Sequence, residues 1–261
     1  MNALRSPAAP SLQDLPVDPP QRISPGVMVQ RWQDLAFLSW PYAVEDVQRL
    51  LPPGLEVDTF DGAAWVSLVP FRLAVRLPGM PGVPWASRFP EVNVRTYVRG
   101  PDGRRGIWFL SLDAARLGAV VVARRSYRLP YVWARTRIVR DGNRRRYTGT
   151  RRWPAGDVSW DLTLDVGGAM DDLADLHRFL TARWRLYSPG PLALPARAIG
   201  FRATTVDHPR WPLRYARLAE GHESLLAAAG LPDASAAPVA AFSPGVSVRF
   251  GPPLPVRACV G

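Results

Sequence analysis

The sequence predicts an α+β fold dominated by antiparallel strands with a few covering helices. Three observations carry this expectation. Short apolar or alternating segments recur, as at 91–98 and 131–139; turn residues such as Asp61-Gly62 and Asp141-Gly142-Asn143 join them; and few stretches hold a helical stripe, the clearest being 171–184. No fixed-period repeat and no internal linker divides the chain. One domain is therefore expected at 27–257, behind a Pro-rich flexible tail at 1–26 that holds Pro7, Pro10, Pro16, Pro19, Pro20 and Pro25.

Taken in order, Met28 to Trp40 turns apolar, and Leu35, Phe37 and Leu38 mark a first strand. Val44, Val47, Leu50 and Leu51 then fall at helical spacing, with Glu45 and Asp46 in the first turn where the dipole favours acids, and Pro52-Pro53-Gly54 as the stop. Leu55 to Asp58 and Ala64 to Val75 read as strands joined by Asp61-Gly62, a strong hairpin signal. The segment 78–90, rich in Pro and Gly with Trp85 and Phe89, is expected to be a loop able to cover a pocket. Glu91 to Val98 alternates: Glu91, Asn93, Arg95 and Tyr97 share one face, which is either solvent-exposed or a cavity wall. Ile107 to Leu112 is continuously apolar, as in a strand buried on both faces.

Asp113 is expected to cap a helix with Leu117, Val120 and Val121 toward the core, Arg124 and Arg125 near its end, and Leu129-Pro130 as its stop. Tyr131 to Val139, Arg144 to Trp153 and Val158 to Val166 read as antiparallel neighbours. A helix is expected over Asp171 to Trp184, with Leu173, Leu176, Leu180 and Trp184 as its stripe. Strands near Leu192 to Ala203 and Pro212 to Ala219, a short helix at Ser224 to Ala229 and a strand at Val246 to Phe250 complete the chain.

Composition closes several chemistries. All 33 basic residues are arginine and none is lysine, so Schiff-base formation by a side-chain amine and a P-loop lysine are both excluded. The one cysteine, Cys259, permits no internal disulfide. His177, His208 and His222 have no metal-ligand spacing, and neither a Gly-x-Ser-x-Gly elbow nor a Gly-x-Gly-x-x-Gly fingerprint occurs. No metal and no cofactor is expected. No apolar run reaches the roughly 18 to 20 residues that cross a bilayer, and no basic-then-apolar leader opens the chain; a cytoplasmic protein without a membrane partner is expected.

The net charge of +11 raises a nucleic-acid reading, with Arg144 to Arg152 as its best segment. Arginines spread singly along wet sheet faces explain the same charge and argue against a nucleic-acid partner.

Several separated motifs carry a resemblance. Trp65 to Phe71, Glu91-Val92-Asn93-Val94-Arg95-Thr96-Tyr97-Val98, Ser111-Leu112-Asp113-Ala114, Ala123-Arg124 with Leu129-Pro130-Tyr131, Leu180-Thr181-Ala182-Arg183 with Leu186-Tyr187-Ser188, and His208-Pro209-Arg210-Trp211-Pro212-Leu213 resemble the uncharacterised YqjF-like, or DUF2071, family over roughly 28–255. That family is in turn distantly similar to the acetoacetate decarboxylase fold, which implies an antiparallel β-barrel around an apolar cavity. In the decarboxylase a lysine pair follows a Phe-Pro step; the matching step here is Leu129-Pro130, and Tyr131 and Val132 stand where the amines would be. A cavity-directed carboxylate of the decarboxylase is similar in placement to Glu91.

The resemblance thus implies a binder of a small organic ligand, acting if at all as a non-Schiff-base enzyme on a small carbonyl or carboxylate compound. Glu91 and Tyr131 are its catalytic candidates, and Asn93, Arg95 and Arg125 its ligand-binding ones. A catalytically silent ligand-sensing or structural module, and an Arg-rich nucleic-acid-binding module, are the competing readings. Homo-oligomerisation is left open.

Overall fold

The computed structural model describes residues 15–24, 26, 28–76, 88–117, 128–153, 157–190 and 200–256. Its strands are β1 (Met28–Tyr42), β2 (Glu56–Val57), β3 (Thr59–Phe60), β4 (Ala63–Arg76), β5 (Arg88–Arg99), β6 (Arg105–Ala114), β7 (Tyr131–Asp141), β8 (Arg144–Trp153), β9 (Ser159–Ala169), β10 (Arg185–Pro189), β11 (Phe201–Asp207), β12 (Arg214–Glu223), β13 (Val239–Phe250) and β14 (Leu254–Pro255). Among the described residues short helices accompany them at α1 (Val44–Gln48), α2 (Asp175–Thr181) and α3 (Leu225–Ala228).

Nine strands close on themselves in the order β6-β7-β8-β9-β12-β13-β1-β4-β5, because β5 pairs with β6 again. This closed barrel is the architecture that the resemblance implied. A second closure is appended to the first: β10 pairs with β6, β11 with β10, and β11 with β13. The strands β13, β1, β4, β5 and β6 therefore form a wall shared by two enclosures. Every pairing is antiparallel except β6 with β7 and β6 with β10.

Alternation along β5 divides the apolar residues between the two sides of this wall. Val92 and Val94 join Leu38, Val66, Tyr147, Trp160 and Leu162 in the core of the nine-strand ring. On the opposite side, Leu35, Phe37, Phe71, Leu112 and Tyr131 form one cluster. Tyr97, Phe179, Leu186 and Val248 form the adjoining one. Gly149 stands opposite Trp160, and only the absence of a Cβ there leaves room for the indole. The β3–β4 hairpin turns on Asp61 and Gly62, whose φ angles of 50° and 74° are the two left-handed positions of a tight turn.

Three expectations are corrected. Asp113 does not cap a helix: it is the ninth residue of β6, wholly buried and paired with Arg151. Leu117, expected to face the core, is 47% exposed. The remaining residues of that expected helix, including Val120, Val121, Arg124 and Arg125, lie outside the described residues.

The helix expected over 171–184 is only seven residues long, Asp175–Thr181. Its stop is tertiary: Arg183 turns inward to Asp58 at 2.6 Å, and from Arg185 the chain pairs with β11 as β10, an unexpected strand. The loop expected at 78–90 overlaps β5 at Arg88, and its residues 78–87 are outside the described set.

Within the Pro-rich segment, residues 15–24 run along the domain. Leu15 and Ile23 are buried, the indole of Trp184 donates to the Pro16 carbonyl at 2.9 Å, and the Ile23 amide donates to Asp207 at 3.0 Å.

Candidate functional site

Strand β5 sets the row Glu91, Asn93, Arg95 and Tyr97 on the face away from the nine-strand core, and all four are buried. Register carries Tyr131 to them: Asn93 is opposite Leu112 on β6, and Leu112 is opposite Tyr131 at the start of β7. The Tyr131 hydroxyl donates to Glu91 Oε2 at 3.1 Å. Arg125 lies outside the described residues.

Glu91 is 2% exposed. Four other carboxylates among the described residues are as deeply buried, and each has guanidinium partners. Asp34 holds Arg140 at 2.6 Å with Arg145 and Arg72 further off. Asp58 holds Arg183, Arg99 and Arg105. Asp113 holds Arg151, and Asp207 holds Arg22. Glu91 has a neutral hydroxyl instead. A buried carboxylate without a cation is disfavoured in its charged form. Burial accordingly pushes the Glu91 pKa up to about 8, with the nearby charge of Asp113 adding to the rise and the Tyr131 hydrogen bond opposing it. The Tyr131 hydroxyl is itself held well above its ordinary range, by burial first and then by Glu91. At neutral pH Glu91 is mostly a neutral acid, able to donate a proton or, once ionised, to take one.

Arg95 does not reach Glu91. Its Nη2 donates to the Leu180 carbonyl at 3.1 Å, and its guanidinium lies 5.5 Å from the Phe37 ring centre and 5.8 Å from that of Tyr97. The same carbonyl accepts from the Tyr97 hydroxyl at 2.9 Å, so two side chains of β5 satisfy one of the last free carbonyls of α2. Tyr97 continues through Ser67 (2.6 Å) to Ser39 (2.7 Å) as a buried hydroxyl chain. Nε of Arg95 and Oδ1 of Asn93 are buried without a partner among the described residues, a donor and an acceptor on one row.

Residues that the sequence did not mark as site candidates flank this row. Ser111 and Asp113 stand opposite Val94 and Val92, on the nine-strand side of the wall; Ser111 donates to Asp113 at 3.1 Å and Arg151 clamps it at 2.6 and 3.0 Å. Strand alternation carried on past Leu112 would have signalled this pair. His208, part of the motif His208-Pro209-Arg210-Trp211-Pro212-Leu213, is 3% exposed, with its ring centre 4.4 Å from Trp184 and 4.7 Å from Trp211. Burial drives its pKa down to about 4, leaving a neutral imidazole.

The arginine run on β8 is largely neutralised within the sheet. Arg144 pairs with Asp165 at 2.9 Å, Arg146 with Asp161 at 2.5 Å, and Arg151 with Asp113. Charge already matched by carboxylates has little left for phosphates. Among the described residues no group of His, Cys, Asp and Glu could hold a metal, and no helix is long and apolar enough to cross a membrane.

Comparison with known proteins places the fold. The family model DUF2071, described as an uncharacterized conserved protein, matches residues 29–247. Uncharacterized protein YqjF of Bacillus subtilis (strain 168) is 37% identical over 164 residues, covering 62% of this chain and 67% of that protein. Among solved structures, an acetoacetate decarboxylase-like enzyme from Sphingomonas wittichii RW1 superposes with a TM-score of 0.63 at 13% identity, covering 89% of this chain and 94% of its own. The enduracididine biosynthesis enzyme MppR complexed with pyruvate gives 0.59 at 11%, over 92% and 94%. The acetoacetate decarboxylase of Legionella pneumophila gives 0.56 at 12%, over 99% and 100%. At these identities the structures establish the shared fold.

Proposed function

The chain belongs to the DUF2071 family, and from that premise we propose that the Glu91 row is the wall of a small-molecule site acting on a small carbonyl or carboxylate compound without a Schiff base. The observation that carries this reading is the lone carboxylate: of five buried acids among the described residues, Glu91 alone has no guanidinium. A fold that neutralises its other buried acids leaves this one with a raised pKa beside a phenol, a common signature of an acid–base group. The chain has no lysine, so carbonyl activation falls to hydrogen bonding. Tyr131 turns its one O–H from Glu91 to a substrate carbonyl, Arg95 holds a carboxylate end through the Nε that has no partner among the described residues, Asn93 accepts from a ligand hydroxyl at Oδ1, and Glu91 moves the proton. The pyruvate complex of the structural neighbour MppR supports 2-oxo acids as the first class to try.

Calorimetric titration of pyruvate into the wild type, Glu91→Gln, Arg95→Gln and Tyr131→Phe tests the reading. Binding by the wild type that weakens at least about tenfold in Arg95→Gln, through loss of a charged hydrogen bond, and about fivefold in Glu91→Gln, through loss of the hydrogen bond its neutral acid donates, is expected. Binding unchanged in both variants would end the assignment.

A further inference from the structure

At the far end of the same face of β5, a cavity of about 510 Å³ opens between the described N-terminal residues, the β5–β6 turn and the chain following α2. Its charged lining is arginine, Arg99, Arg104, Arg105, Arg183 and Arg185, beside the neutral polar side chains of Gln21 and Thr205. Two carboxylates answer them among the described residues. Asp58 takes Arg183 at 2.6 Å, Arg99 at 3.0 Å and Arg105 at 3.5 Å, while Asp102 takes Arg185 at 3.0 Å. Among the described residues the guanidiniums lining this cavity outnumber the carboxylates paired with them, and Arg104 has no carboxylate of its own. Arg183 is 5% exposed, and its Nη2 has no partner among the described residues; Nε of Arg185 is likewise buried and unmatched. Leu15, Pro16, Pro20 and Trp184 supply apolar lining to the same cavity.

We propose that this cavity binds a small organic oxyanion, with a phosphate-monoester or dicarboxylate head held by the arginines and an apolar body against Trp184 and Leu15. Like charges gathered around a partly desolvated space repel one another strongly, and a multiply charged anion relieves that repulsion. Guanidinium forks match both phosphate and carboxylate oxygens, and the volume suits a ligand of ordinary metabolite size. The inference does not rest on the Glu91 site. The two lie at opposite ends of β5, with Leu180 of α2 on Arg95 and Arg183, just past the helix, on Asp58.

Phenyl phosphate, phthalate, inorganic phosphate and benzyl alcohol are titrated into the full chain by calorimetry, for the wild type, Arg185→Gln, Arg104→Gln and Glu91→Gln. Phenyl phosphate or phthalate is expected to bind, more tightly than inorganic phosphate or the neutral alcohol, and the better of the two assigns the head group. Each arginine variant is expected to weaken that binding about tenfold, and rising salt to weaken it further. Glu91→Gln is expected to leave it unchanged. Absence of binding by both aromatic anions overturns the proposal. So does binding that both arginine variants leave intact, or inorganic phosphate binding as tightly as phenyl phosphate.

Discussion

Glu91 and Arg99 stand on one face of one strand, roughly 26 Å apart at a rise of ~3.3 Å per residue, and the fold treats them in opposite ways. Around Glu91 a carboxylate is buried with no cation paired to it among the described residues. Around Arg99 one carboxylate, Asp58, is shared by three guanidiniums. The alternation that puts both ends on the same face cannot make them differ. The difference comes from what packs across: Tyr131, a neutral phenol, reaches Glu91 from β7, whereas Arg183 and Arg105 reach Asp58 from the end of α2 and from β6. One end is short of positive charge and the other holds an excess, and each imbalance fits a ligand of a different kind.

The sharpest way to break this contrast is at Asp58. Asp58→Asn leaves Arg183, Arg99 and Arg105 facing one another without their counter-ion, and a destabilisation of about 3 to 5 kcal/mol is expected in urea unfolding, as for other broken buried pairs. An anion in the cavity should restore part of it.

Next in size is Glu91→Gln. A carboxyl whose pKa is raised from 4.5 to about 8 on folding binds its proton more tightly in the folded state. Its contribution to stability is therefore complete below about pH 4.5 and is lost as pH rises toward 8. The wild type should lose stability relative to Glu91→Gln over that window, by on the order of a few kcal/mol at its upper end. His208 works with the opposite sign: its pKa falls from 6.5 to about 4, so its contribution is complete above 6.5 and is lost as pH falls toward 4. Comparing the two proteins between pH 6.5 and 8 isolates Glu91. Parallel curves there would show that the carboxyl titrates normally.

Tyr131→Phe sharpens the same end more gently. The phenol is the influence that lowers the Glu91 pKa, so its removal should move the carboxyl titration, followed by carbon NMR, further up. It should cost about 1 kcal/mol of stability for the lost hydrogen bond. A downward shift would mean that Tyr131 does not donate to Glu91. The smallest effect belongs to neither end. Arg146→Gln removes an exposed ion pair with Asp161 and should leave the unfolding midpoint unchanged, since surface pairs contribute little.

Periodicity made much of this molecule legible. The β5 row, the β7–β8–β9 neighbours, the hairpin at Asp61-Gly62 and the short helix near Ser224 all follow from alternation and turn chemistry acting over a few residues. The family resemblance, borne out by the family model and the structural neighbours, added closure of the sheet into a barrel. Misreadings arose where a distant partner overrode local preference. Asp113 has a helix-capping residue type, but Arg151, 38 residues away, holds it in a strand. The stripe of Leu173 to Trp184 is helical by spacing, but Asp58, 125 residues before Arg183, ends the helix at Thr181.

By itself the sequence determined which residues alternate, that no lysine is available for amine chemistry, and that Glu91, Asn93 and Arg95 share a face, because these depend only on composition and on the two-residue period of a strand. Only the tertiary structure decided that this face is buried, that Tyr131 meets Glu91, and that arginines from three segments converge on Asp58. Burial and charge balance depend on neighbours far along the chain, which barrel closure brings together.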